Sequence, residues 1–154
     1  MKLASLLTPE HVILDLKGSN TSEVLQNIMD YLVDKRLLQA KLSEPMLKAL
    51  NDREDMVSTG LGSGVAIPHI FSESIDDVVA VFARSIEGVD FEALDNALVH
   101  FVILLIVPQK DQCKHLQTLA TIAKMFKTCD VRQHLHAAEC SESVIRIING
   151  CDSH

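Results

Sequence analysis

Phe101-Val102-Ile103-Leu104-Leu105-Ile106-Val107-Pro108 decides how this chain folds. The segment belongs to the most apolar run of the sequence, Val99 to Val107, is rich in β-branched side chains and is stopped by a proline. It falls far short of the roughly 20 apolar residues that cross a bilayer as a helix, so it reads as a strand buried on both faces. Such a strand needs cover on two sides, and the flanking sequence offers helices on both.

Working outward, Val78 to Arg84 is a second β-branched strand, joined to the first through the turn-rich Val89 to Asn96. Downstream, Leu116, Leu119, Ala120, Ala123 and Phe126 form one helical stripe that begins after Asp111. Two shorter helices follow, Val131 to Ala138 and Ser141 to Ile148, the second opened by a Ser cap. Upstream, Asn20-Thr21-Ser22-Glu23 has capping-box spacing, and Val24, Leu25, Ile28, Leu32 and Leu37 carry a helix to about Leu38. Ser43-Glu44-Pro45 opens another, with Pro45 near the first turn, Met46, Leu47 and Leu50 inward, and an end near Asp55. The sum is an α/β chain with a mixed sheet and helices on both faces.

The 154 residues carry a formal net charge of -7 with no basic run, which argues against nucleic acid as a partner and for a protein surface. One domain, 1–154, is expected, since no composition shift marks a boundary. The apolar opening Met1 to Leu7 is cut by Thr8-Pro9-Glu10, too short for a secretory segment, so the chain reads as cytoplasmic without stable membrane insertion. Cys113, Cys129, Cys140 and Cys151 include no CxxC pair and read as reduced thiols. His134 and His136, two apart on a helix, diverge and do not form a metal pair.

Chemistry concentrates in Ser58-Thr59-Gly60-Leu61-Gly62-Ser63-Gly64-Val65-Ala66-Ile67-Pro68-His69. Alternate glycines at 60, 62 and 64 leave N–H groups open to an anion, and a stiff Ile-Pro step then delivers an imidazole at the end of the strand-like Val65-Ala66-Ile67. His69 is a nucleophile near neutral pH or, taken alone, a turn cap. Ser58 and Thr59 offer hydroxyls to the same anion or serve as turn residues. The Arg53 fork suits a phosphoryl group, and equally a helix C-terminus. His115 stands one position before the stripe that starts at Leu116, and periodicity alone puts it on the surface.

Arg53-Glu54, Ser58-Thr59-Gly60, Gly64-Val65-Ala66-Ile67-Pro68-His69 and His115-Leu116-Gln117-Thr118-Leu119 together resemble the enzyme IIA domain of the fructose/mannitol class of the bacterial phosphotransferase system. The likeness covers nearly the whole chain. Within the family, Phe91-Glu92-Ala93-Leu94-Asp95-Asn96, Leu104-Leu105-Ile106-Val107-Pro108 and Leu135-His136-Ala137-Ala138 resemble the nitrogen-related regulatory branch more than the sugar-transport branch. The resemblance implies a three-layer α/β/α sandwich around a mixed sheet. It implies a phosphotransferase in which His69 takes a phosphoryl group from the phosphohistidine of an HPr-like or NPr-like carrier, with His115 and Arg53 lining the site. Ser58, Thr59, Gly60, Gly62 and Gly64 are the expected phosphate-binding residues. No metal or cofactor is expected, because both ends of the transfer are nitrogen nucleophiles. Regulatory target proteins are the expected partners, or a separate IIB component whose cysteine receives the group. Ile70 departs from the family's usual glycine after the phosphorylated histidine, and its branched side chain is expected to crowd the surface where the donor docks.

Overall fold

Strand β6 (Val99–Pro108) is buried over almost its entire length and organises the sheet around itself. On one edge it pairs antiparallel with β5 (Val79–Val89), from Val79 opposite Ile106 to Val89 opposite Val99. On its other edge run two short parallel segments, β3 (Val65–Ala66) and β4 (His69–Ser72). Val65 faces Phe101 and His69 faces Leu105, so the register stays constant across the Ile67-Pro68 interruption. β3 and β4 are therefore one strand broken at its proline, which has no N–H for a ladder. The outer strands are β1 (Val12–Ile13), parallel to β5, and β2 (Gly60–Gly62), antiparallel to β3. This computed structural model describes residues 3–56, 60–93 and 95–152.

Side-chain alternation along β5 and β6 divides the core in two, as a strand's two-residue period requires. Phe101, Ile103, Leu105 and Val107 join Ala80 and Phe82 on one face, under helices α1 (Leu3–Leu6), α4 (Gln112–Phe126), α5 (Cys129–Ala137) and α6 (Ser141–Asp152). Val102, Leu104 and Ile106 join Val81 and Ala83 on the other, under α2 (Thr21–Asp34) and α3 (Ala40–Met56). The expected mixed sheet with helices on both faces is what forms.

Local chemistry sets the helix ends. The Asn20 side chain accepts from the Glu23 N–H at 3.0 Å, while Glu23 takes the Asn20 amide at 2.9 Å, which caps α2 as its spacing predicts. This helix stops at Asp34 rather than Leu38, because Arg36 takes a left-handed conformation (φ 60°). Helix α3 starts three residues before Ser43, so Pro45 sits inside it, in the second turn rather than the first. The stripe of α4 is also rotated from its expected position: His115, Thr118, Ile122, Met125 and Phe126 face the core, and Leu116 is 51% exposed. The apolar count had favoured Leu116, but the packing of Ile122 and Met125 fixes the helix face. Cys113 and Cys140 are free thiols.

Candidate functional site

His69 opens β4, half-buried, on the same face as Phe71, whose ring meets its imidazole edge-on at 6.2 Å. The Pro68 carbonyl accepts from the Leu105 N–H at 3.0 Å on the β6 side, and His69 Nδ1 donates to the preceding carbonyl, that of Ile67, at 2.7 Å. A carbonyl only accepts, so the proton resides on Nδ1 and the neutral ring presents its lone pair at Nε2. The Arg53 guanidinium, in the last turn of α3, donates from Nη2 to that nitrogen at 2.9 Å. Burial pushes the His69 pKa below its ordinary value and the Arg53 charge adds to this, against the opposing effect of the Ile67 bond. The ring is thus held neutral, in one tautomer, with one nitrogen facing a cation.

His115 is 1% exposed, and the surface position expected from periodicity is wrong because α4 is turned about its axis. It lies one turn into a helix that returns over the sheet face carrying His69. Its Nδ1 is buried and has no hydrogen-bond partner among the described residues. Burial again lowers the pKa, with Lys114 adding and Asp111 opposing. The structure thus joins Arg53 to His69 by direct contact, while His115 is buried on α4, in the helical layer that covers the His69 side of the sheet.

The glycines are arranged differently from their expected role. Gly62-Ser63-Gly64 turns the β2–β3 hairpin with φ values of 89°, 57° and 81°, a left-handed path that glycine tolerates. Gly64 precedes His69 by five residues on a continuous strand, on the order of 17 Å at about 3.3 Å per residue. An anion does sit in this turn, but it belongs to the chain: Asp95 Oδ2 accepts the Ser63 N–H at 3.0 Å. That bond, behind one from Ala97, holds the Asp95 carboxyl below the usual carboxylate range. Gly62 and Gly64 are therefore hairpin residues remote from the imidazole, whereas Gly60 pairs with Ala66, three residues short of it. Ser58 and Thr59 lie outside the described residues.

Ile70 does not crowd a docking surface. It is 7% exposed and packs with Val102, Leu104 and Ile106 on the opposite face from His69, where a two-residue period sends its side chain. His134 and His136 do diverge, but His136 lies against His100 at 5.3 Å and Phe101 at 4.6 Å between ring centroids. Sequence reasoning missed the Ile67 carbonyl and Asp95, for neither of which residue type or spacing gave a signal. No group of three or more metal-ligating side chains occurs among the described residues.

This mixed sheet between helical layers is the fold of phosphotransferase-system IIA proteins, and here it carries an imidazole bonded to an arginine at the start of an edge strand. The family described as phosphoenolpyruvate-dependent sugar phosphotransferase system, EIIA 2, matches residues 5–151, and the chain belongs to that family. It is 32% identical to a nitrogen regulatory protein of Pseudomonas aeruginosa over 96% of this chain and 95% of that protein. It is 31% identical to the PTS system fructose-specific EIIABC component of Bacillus subtilis over 99% of this chain, which spans 24% of that longer protein. Among solved structures it resembles nitrogen regulatory protein IIA-Ntr from Neisseria meningitidis, with a TM-score of 0.86 and 28% identity over 95% of this chain and 98% of that one. Domains of this family are phosphotransferases. No helix among the described residues is long and apolar enough to cross a membrane.

Proposed function

We propose that this chain is a phosphocarrier that accepts a phosphoryl group on His69 Nε2 from the phosphohistidine of an HPr-like or NPr-like protein. The observation that carries the proposal is the tautomer: Nδ1 is committed to the Ile67 carbonyl, so only Nε2 can attack. In the transfer the Nε2 lone pair forms the new N–P bond as the donor's N–P bond breaks and its electron pair returns to the donor ring. The Nδ1 proton stays on His69. Arg53 and the unspent nitrogen of His115 balance the equatorial oxygens, which is where positioning and electrostatics act in phosphoryl transfer. Met56, 82% exposed three residues after Arg53, and Leu116 beside His115 give the donor an apolar rim on which to dock. The reading takes 1–154 as one such domain, working in the cytoplasm among reduced thiols such as Cys113 and Cys140.

The output we favour is regulatory, with the phosphoryl group, about -1.5 to -2 charges, switching contact with target proteins. The likeness to two nitrogen regulatory proteins over nearly their full lengths supports this. The fructose-specific relative supports the alternative, onward transfer to a IIB cysteine in sugar uptake. The deciding experiment is incubation with the upstream carriers and labelled phosphoenolpyruvate. Acid-labile label is expected on the wild-type chain and absent from His69→Ala, and label retained by that variant refutes the assignment. A pull-down with phosphorylated and free protein, set beside transfer to a purified IIB, separates the two outputs.

A further inference from the structure

The hydrogen bond between Arg53 and His69 sits on the atom that has to react. With Nδ1–H given to Ile67, the only acceptor orbital on the ring is the in-plane lone pair of Nε2, and Arg53 Nη2 is hydrogen-bonded to that nitrogen at 2.9 Å. A phosphorus atom about to be attacked needs that same direction, at about 3–3.5 Å. Both cannot be present at once. The lone pair is engaged electronically, and its approach volume is filled by a nitrogen.

We infer that Arg53 is a gate as well as a clamp: in the resting protein it masks the Nε2 lone pair of His69, and it releases the lone pair when a phosphoryl group offers it a better acceptor. This rests on the phosphocarrier reading and adds a regulation to the same site. A neutral imidazole nitrogen is a weaker partner for a guanidinium than an anionic oxygen, since charge-assisted bonds are roughly twice as strong. The dianionic phosphoryl group of a docked donor therefore takes over the Arg53 bond. Arg53 is exposed on the last turn of α3, where it has room to move while its helix stays packed. An uncharged electrophile offers nothing in exchange and meets a closed site. His69 is in this way selective by charge before any donor surface is recognised.

The test uses diethyl pyrocarbonate, an uncharged electrophile that acylates imidazole lone pairs, at pH 8, where His69 is neutral with or without Arg53. Carbethoxylation of His69 is followed by peptide mass spectrometry, with exposed His134 as the internal reference. Arg53→Met keeps bulk and loses the donors, and it is expected to acylate His69 at least five-fold faster than the wild type while phosphoryl transfer from the carrier falls. Equal or slower acylation in Arg53→Met overturns the gate. Nitrogen-15 NMR of the wild-type ring needs no variant: the Nε2 resonance is expected to be displaced from that of a free acceptor nitrogen, and a free-nitrogen shift also overturns it. If the wild type takes no phosphoryl label on His69 but acylation still rises, the carrier reading fails and the gate stands.

Discussion

Two histidines among the described residues donate from Nδ1 to a backbone carbonyl, and the regions around them differ in what their arginine is bonded to. At His69, Nδ1 donates to the Ile67 carbonyl and an exposed Arg53 reaches Nε2. At His100, Nδ1 donates in the same way to the Ser85 carbonyl at 2.8 Å, and His136 lies alongside. The arginine there, Arg84, is 8% exposed and spends itself on backbone carbonyls. Its Nε donates to Leu14 at 3.1 Å, and its Nη1 to Leu135, His136 and Ala138 at 2.9, 3.2 and 2.7 Å. The last three are carbonyls at the C-terminal end of α5, at its negative pole, where Leu135 also accepts the Ala138 N–H. Fixing a tautomer is thus common to both regions and does not make a reactive site. What distinguishes His69 is an exposed arginine bonded to the ring itself.

That contrast breaks if Arg84 proves dispensable. Arg84→Met leaves buried carbonyls unpaired and is expected to cost roughly 3 kcal/mol, lowering Tm by roughly 10 °C, while label uptake by the folded fraction is unchanged. Arg53→Met should do the reverse. Transfer is expected to fall about 100-fold, or about 2.7 kcal/mol at the transition state, with stability held within about 0.5 kcal/mol. A variant of either arginine that moved both quantities together would erase the distinction.

The pH dependence sharpens it further. Burial lowers the pKa values of His11, His69, His115 and His136, so below the ordinary histidine value of about 6.5 the unfolded chain binds more protons than the folded one. Stability is complete above that pH and is lost as pH falls toward the lowered folded values. Urea midpoints are expected to be flat from pH 8 to 7 and to drop between 6.5 and 5, with a shallower drop in His115→Leu. The smallest effect is expected at the hairpin. Asp95→Asn weakens the acceptor for the Ser63 N–H, so hydrogen exchange at Ser63 should quicken while Tm barely moves.

Legibility in the sequence followed the range of the interactions. The apolar run ending at Pro108 announced a doubly buried strand because its composition admits no other cover, and Asn20 to Glu23 announced a cap because the partners lie three residues apart. The site was legible as a list of residue types but not as a geometry. His115 was misplaced because helix rotation depends on which of several neighbouring apolar stripes meets the sheet, and Ile122 and Met125 settled that only in three dimensions. The glycines did indicate an anion-binding turn, but the anion is the carboxylate of Asp95, 32 positions beyond Ser63. Ile70 looked obstructive only while its face was unknown.

The constant register of β3 and β4 along β6 also bears on when reactivity arises. Each of those pairs joins residues 36 positions apart, from Val65 with Phe101 to His69 with Leu105, so the edge forms only after a long loop has closed. Before closure the imidazole exchanges freely between tautomers, and nothing aims it. On the phosphocarrier reading, label uptake is therefore expected to return late in refolding, and its rate of return after dilution from denaturant would time the docking of this one edge.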